Sequence, residues 1–498
     1  MYLRVTYDQE FEDLWMHLKS KYPSKLFDLD GVGKQLDMAQ FSKDFFGNKS
    51  SAADISIDSN SNVDDISVVT YNTELPKPFF RLNSYYVLWK YYKKFYGHEE
   101  ANKIIEKQLI GDYYINDFHG FGGTMSYCFN YSTYDIMING LSYINKIKSI
   151  PPKHLWSFKS QIEQFVVHAG NSTLGATGIA DLFIVMSFFV DKLFKEDNIF
   201  KDEKSIWKYV REEIQSLIYT LNQPFRSNQS VFTNVSIYDN YFLDELCEYY
   251  YDLDGNKPNK DTIRKLQEMY LDIMNFELKR TPVTFPISSA CFSVDENNNI
   301  LDREFLKLIA KKNKEFGFIN IYCGKTSTIS GCCRLRSNIT NEYLNSFGAG
   351  SLKVGSLGIT TLNLPRMAIK ANKNIDLFLE LLKEHCEYVQ KINFVKKHLL
   401  KNRINNGNLP LYSLDYMNIE KQYLTIGLTG INECCEIMGL DILEKDGQVF
   451  VKNMIKEINI LNDKLQKRFK SSTNCEQVPK ICWVHNRIIN NLLLGNSL

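Results

Sequence analysis

Leu357-Gly358-Ile359-Thr360-Thr361-Leu362-Asn363-Leu364 is the stretch on which the fold turns. Its apolar and β-branched residues read as a strand. The glycine-rich Gly355-Ser356-Leu357-Gly358 leads into it, and Asn363-Leu364-Pro365-Arg366 leads out toward a long amphipathic pattern from Ile375 to Leu400. Strand followed by long helix is the repeating unit of an α/β fold. Further β-rich runs lie at Val283 to Ile287, Gly317 to Cys323 and Tyr423 to Leu428, each bounded by Gly, Pro or polar residues. Helical spacing joins Tyr85, Leu88, Trp89, Tyr92 and Phe95, and recurs over Asn102 to Leu109, Asp261 to Leu278 and Val451 to Phe469. The pair Pro151-Pro152 suits a helix entrance, with Leu155, Phe158, Ile162, Phe165 and Val166 on the buried side. Periodicity leaves open whether the sheet closes into a barrel.

The chain has 498 residues, 44% of them hydrophobic and 23% charged, which predicts a globular protein with a large core or two smaller ones. Its 59 Lys and Arg nearly cancel 58 Asp and Glu, leaving a formal net charge of +1. No global field therefore draws it to DNA or to an anionic membrane, and any nucleotide has to be recognised locally. The most apolar run, Ile179 to Leu193, is interrupted by Asp181 and Asp191 and reads as a buried helix, not a membrane span. Eleven cysteines without a signal peptide fit a reducing, cytoplasmic setting. Residues 1–50 read as an N-terminal extension, and the polar run from Ser50 to Asn62 as a loop before the main body.

Several clusters are candidates for chemistry. In Gly331-Cys332-Cys333-Arg334-Leu335-Arg336 two thiols stand beside two guanidinium groups, and cationic neighbours favour the reactive thiolate. No CxxC pair or His at ligand spacing accompanies them, so no metal is predicted. The glycines at Phe347-Gly348-Ala349-Gly350-Ser351 and Gly355 to Gly358 either form a plain turn or let backbone N–H groups approach a ligand, with Arg366 available to a phosphate. Arg226 to Asn234 concentrates amides and hydroxyls, as sugar recognition or ordinary loop polarity would. In Asp117-Phe118-His119-Gly120, followed by Cys128, an acid, an imidazole and a thiol lie close in sequence; His119 could orient a loop or move a proton.

Taken in order, these segments resemble the anaerobic, class III ribonucleotide reductases of the glycyl-radical superfamily. The resemblance runs from about Leu26 to Pro479. It rests on Tyr114 to His119, Tyr127-Cys128-Phe129-Asn130-Tyr131-Ser132, Asn171-Ser172-Thr173 with Gly175 and Gly178, Gln229 to Asn234, Cys333-Arg334, Gly358 to Arg366, Thr425-Ile426-Gly427, Gly430-Ile431-Asn432-Glu433 and Glu476-Gln477-Val478-Pro479. It implies a ten-stranded α/β barrel of two half-barrels, surrounded by helices, with a central finger loop. Residues 51–479 would form this catalytic barrel and 480–498 a divergent tail.

The resemblance implies roles for particular residues. Cys333 would become a thiyl radical and abstract the 3′ hydrogen of a ribonucleotide. Cys128 would supply reducing equivalents as the 2′-hydroxyl leaves as water. Ser356, Gly358, Gln229, Gly427 and Asn432 would contact substrate, its phosphates meeting backbone N–H groups and helix starts. Ser356 stands where the formate-using branch carries asparagine, which favours a thioredoxin-like reductant over formate. Ribonucleoside triphosphates as substrates, dNTP and ATP effectors, a homodimer and a radical-generating activase follow from the same resemblance.

The family pattern continues past Pro479 with a zinc-binding cysteine cluster and a glycyl-radical loop, whereas here Lys480-Ile481-Cys482-Trp483 follows. Neither the cluster nor the radical glycine can be placed, nor can an ATP-cone near the N-terminus. The expectation is a glycyl radical supplied in trans by a C-terminal polypeptide, generated by an S-adenosylmethionine iron–sulfur activase, with no turnover by this chain alone. The competing expectations are a degenerate nucleotide-binding relative and a different glycyl-radical enzyme.

Overall fold

The computed structural model describes residues 6–32, 38–46, 68–123, 125–142, 147–196, 200–226, 230–324, 328–330, 336–338 and 354–477. The polar run around Ser50 to Asn62, Gln229, Cys332 and Cys333, the glycines at 348 and 350, and Val478 onward lie outside these.

The strands are β1 (Tyr113–Ile115), β2 (Phe129–Asn130), β3 (Thr177–Gly178), β4 (Thr233–Tyr238), β5 (Ile287–Ser293), β6 (Ile319–Gly324), β7 (Thr328–Ser330), β8 (Arg336–Asn338), β9 (Val354–Asn363), β10 (Gln422–Thr429) and β11 (Thr473–Gln477). Nine of them join in one sheet of order β11-β10-β9-β2-β3-β4-β5-β6, with β1 also paired to β9; β7 and β8 form a separate ribbon. The sheet is curled and ringed by helices. The resemblance implied ten barrel strands, and nine are counted in this sheet among the described residues.

The sheet has two halves. Neighbours from β2 to β6 run parallel, as do β9, β10 and β11, while β2 meets β9 antiparallel. Each half packs its own core. Against β4 and β5, Val235, Ile237, Ala290 and Phe292 meet the helices Leu155–Ser172, Leu182–Glu196, Glu203–Leu221 and Lys260–Leu278. Against β1, β9 and β10, Ile115, Leu362, Ile426 and Leu428 meet Lys77–Tyr96, His98–Ile110, Ile375–Asn405 and Lys445–Phe469. The helix Gln9–Lys21 belongs to this second core: Phe11 packs on Trp89 and Trp15 on Tyr85, at ring centroid distances of 5.7 and 5.2 Å. Burying aromatics of this size contributes more per residue than any other apolar side chain.

Three local features differ from the sequence reading. The run Val283 to Ile287 mostly precedes its strand, because β5 starts at Ile287, after Pro286, a residue with no N–H to give to a ladder. Gly355 to Gly358 is not a connection but part of β9, where β2 and a helix approach too closely for side chains. Arg366 is committed in part: it is 7% exposed and its Nε donates to Asp112 Oδ1 at 2.6 Å, its Nη1 is buried without a partner, and Asn363 caps the helix Leu364–Ala371 by accepting from the Arg366 N–H.

Candidate active site

The two halves of the sheet meet over the pairs Phe129↔Gly355 and Asn130↔Val354, and the Ser356 N–H extends the contact by donating to Cys128 O at 2.9 Å. Cys128 therefore sits on the seam, with its thiol 2% exposed and its Sγ accepting from the Ala176 N–H at 3.2 Å. Two glycines make room for it. A Cβ on Gly175 would lie 2.5 Å from Cys128 Sγ, and one on Gly355 would lie 2.1 Å from Cys128 O. Arg226 holds the Gly175 loop from behind, donating through Nη1 to Gly175 O at 2.9 Å and through Nη2 to Leu174 O.

Beside the thiol runs a chain of hydroxyls. Ser356 Oγ lies 2.8 Å from Thr425 Oγ1, which donates to Asn474 Oδ1 at 2.7 Å. With the threonine proton committed to Asn474, Ser356 is the donor to Thr425. The Asn474 Nδ2 is buried without a partner. Behind the chain, Gln422 Nε2 donates to Ser126 Oγ at 3.0 Å and to Ser356 O at 3.3 Å, and Ser126 Oγ lies 2.8 Å from the Tyr412 hydroxyl. The long helix Ile375–Asn405 fixes the strands through Asn393, which accepts from Thr360 Oγ1 at 2.9 Å and donates to Thr425 O at 3.0 Å. In the other half, Asn234 donates to Ser289 Oγ at 2.9 Å, leaving Asn234 Oδ1 and Ser236 Oγ buried and unpaired. Buried polar atoms left this way carry a desolvation cost that a bound polar group would offset.

Gly358 faces the same long helix. A Cβ there would lie 2.8 Å from Lys396 Nζ. Lys396 is 3% exposed, and its Nζ stands 5.7 Å from the centre of the Tyr127 ring. Burial pushes its ammonium down to about 8, partly opposed by Asp117 and Cys128, so it is still mostly charged at neutral pH.

Of the sequence-predicted site residues, Cys128 and Ser356 are brought together, with Gly358 two positions farther along β9. Gly427 lies on β10 opposite Thr361. Asn432 is at the far end, exposed in the first turn of the helix Ile431–Met438 and donating to Glu436 at 2.8 Å. Thr429 lies four positions along β10 from Thr425, roughly 13 Å at strand rise. Cys333 and Gln229 lie outside the described residues. His119 sits on the short turn Phe118–Gly120, where burial pushes its imidazole down to about 4 against the opposing pull of Asp117, so it is neutral at pH 7.

The sequence reading missed Lys396, Asn393, Gln422, Ser126 and Asn474. Lys396 and Asn393 did leave a signal. They fall on the apolar stripe of their helix with Leu382, Cys386, Val389 and Leu400, where a lysine has no solvent to explain it.

Among the described residues no three His, Cys, Asp or Glu side chains are grouped to hold a metal ion, and no helix is long and apolar enough to cross a membrane. The profile of a family described as anaerobic ribonucleoside-triphosphate reductase matches residues 75–480. No curated protein sequence matches. Among solved structures, the chain is similar to the anaerobic ribonucleotide reductase from Thermotoga maritima in complex with dATP and CTP, at 31% identity and TM-score 0.84 over 100% of this chain and 80% of that one. It is also similar to the Thermotoga maritima enzyme with citrate in the active site, at 31% identity and TM-score 0.82 over 100% of this chain and 88% of that one. A further structure, of an anaerobic ribonucleotide reductase, gives 30% identity and TM-score 0.85 over 99% and 78%.

Proposed function

The chain belongs to the anaerobic ribonucleoside-triphosphate reductase family, and from that premise we propose that it reduces ribonucleoside triphosphates to deoxyribonucleoside triphosphates by thiyl-radical chemistry. The observation that carries the reading is the buried Cys128 thiol on the seam of two opposed half-sheets, flanked by the Ser356–Thr425–Asn474 chain. A dry, walled thiol of this kind can hand hydrogen to a reactive sugar without competition from solvent.

In this reading Cys333 takes the 3′ hydrogen of the ribose and returns it, Cys128 supplies reducing equivalents as the 2′-hydroxyl leaves as water, and a thioredoxin-like reductant or formate closes the electron balance. Ser356 and Gln229 contact the nucleoside through their side chains, and Gly358, whose Cβ side is taken by Lys396, through its backbone. Gly427 gives it a track without side chains along β10, and Asn432 with the N–H groups at the start of Ile431–Met438 receives phosphate, a helix end suited to anions. The roughly 13 Å between Thr425 and the end of β10 suits a nucleotide lying along the strand.

A glycyl radical, generated by an S-adenosylmethionine iron–sulfur activase, would supply the hydrogen-atom acceptor that oxidises Cys333. The orphaned polar atoms of Asn474, Asn234 and Ser236 fit a site that receives a further segment or substrate. The reading extends to dNTP and ATP effectors acting on a homodimer.

The test is anaerobic reconstitution of the purified chain with a glycyl-radical polypeptide of the family and its activase, with dNTP formation as the readout. Turnover is expected, and Cys128→Ser or Cys333→Ala should abolish it. Nucleotide binding that persists with no dNTP formed under any such combination would replace the reductase reading with that of a nucleotide-binding relative.

A further inference from the structure

β1 and β2 lie end to end along one edge of β9, β1 against Thr360 to Leu362 and β2 against Val354 and Gly355, both antiparallel. They are one line of chain interrupted by an excursion from Asp117 to Tyr127. Asn116 still donates to Ile359 O at 3.0 Å on one side of the break, and Cys128 O still accepts from Ser356 on the other. Between them, at Leu357 and Gly358, no strand pairs with that edge among the described residues. Lys396 reaches this break from the long helix, with its Nζ, Cε and Cδ in the space that a side chain at Gly358 would fill.

The lips of the break are Asp117, held at φ 49°, and the Tyr127-Cys128 segment. These are the groups that the Lys396 ammonium feels, through the Tyr127 ring and the charges of Asp117 and Cys128. No hydrogen bond or ion pair joins Lys396 to another described residue. A nearly fully buried ammonium that no carboxylate bonds directly is costly, and the charge of Asp117 offsets that cost only in part, leaving it to be completed by an anion that forms beside it.

We propose that Lys396 is a positioning residue whose ammonium, passed across Gly358 into the break between β1 and β2, is the counter-charge of the Cys128 thiolate. The proposal rests on the reading of Cys128 as a reacting thiol. When that thiol gives up its proton to a departing hydroxyl, the negative charge left on Sγ is met by a cation already in place, so little reorganisation is needed. The other charged and titratable groups around the pair are Asp117, which shares the ammonium, Arg226 behind the Gly175 loop, and the phenols Tyr131 and Tyr412, both pushed up by burial and neutral throughout.

The experiment uses the full chain without radical or activase. Each cysteine is labelled with methyl methanethiosulfonate from about pH 6 to about pH 10, and the Cys128 peptide is followed by mass spectrometry against the exposed Cys323 as internal control. In the wild type Cys128 should label with a midpoint about one pH unit below that of Lys396→Met, or about tenfold more thiolate at neutral pH, while Cys323 is unchanged. Gly358→Ala crowds the ammonium without removing it and should give a shift in the same direction, which decides the matter if Lys396→Met fails to fold. Coincident Cys128 profiles in the wild type and a folded variant overturn the proposal. Because the readout is a thiol titration, a shift without any dNTP formation would leave the electrostatic pairing standing while the reductase reading fell.

Discussion

At the scale of single residues, the site depends on side chains that are missing as much as on those present. Gly175→Ala would push a methyl against Cys128 Sγ and backbone N, at 2.5 and 2.6 Å, and neither the strand nor its neighbour Arg226 can easily yield. The expected result is a loss of about 1–3 kcal/mol in a denaturant titration, together with loss of turnover in the reconstituted enzyme. His119 makes a prediction of opposite character, on pH. Its folded value near 4 lies below the unfolded 6.5, so between these the unfolded chain binds more protons and stability falls as pH drops through that window. Urea midpoints at about pH 7 and about pH 4.5 should reveal about 2–3 kcal/mol of this loss in the wild type, and His119→Gln should lack that part of it. An equally steep acid limb in the variant would assign the loss to other groups.

Elements are tied together by buried polar groups more than by the strands themselves. Asp112, at the entrance to β1, accepts from Arg366 Nε and Lys370 Nζ at 2.6 Å each and lies 3.4 Å from His385 Nε2, so one carboxylate joins β1 to the helices Leu364–Ala371 and Ile375–Asn405. Burial pushes its carboxyl up, but the His385 hydrogen bond and the charges of Lys370 and Arg366 outweigh that and hold it well below the usual range. Asp112→Asn leaves these cations facing an amide, and a loss of about 3–5 kcal/mol is expected in thermal or denaturant unfolding. A change below 1 kcal/mol would mean that the cations find water. The same elements show what the sequence could disclose. The helix Ile375–Asn405 and the strands β6, β9 and β10 were legible because their apolar periodicity is long or bounded by Gly and polar residues. β4 was not, because Thr233–Tyr238 is buried on both faces and alternates Asn234 and Ser236 with Val235 and Ile237, so its inner face reads as loop polarity. β2 and β3, two residues each, carry no periodicity at all. In the site, family motifs pointed to Cys128 and Ser356; the apolar stripe marks Lys396 as buried, but its place beside Gly358 is a relation between positions 38 residues apart that no local pattern encodes.

For the whole molecule, the arrangement of two cores and one narrow seam sets where the structure should open. The β2–β9 junction is two residue pairs plus the Ser356–Cys128 bond, whereas β9 and β10 pair along eight positions and β5 and β6 along six. Each half keeps its own apolar cluster on the helix side; between them lie the small group of Tyr127, Cys128, Ala176 and Ile359, and the residues Leu411, Tyr416 and Met417 ahead of β10, with the Tyr416 ring 5.0 Å from that of Phe165. A sheet junction with so few strand hydrogen bonds opens at lower free energy than the longer ladders on either side of it. Native-state hydrogen exchange should therefore show the amide of Ser356, which donates across the seam to Cys128 O, exchanging well before that of Phe129, which donates to Ala176 O inside its own half, and before those of Val235, Ile237, Ala290 and Ile426. A nucleotide bound across the seam would have to be held by both halves, so the Ser356 amide should slow on adding ribonucleoside triphosphate while the core amides stay as they were. If Ser356 instead exchanges with the core at the global rate, the halves unfold as one unit, and the seam confers chemistry on Cys128 without conferring motion.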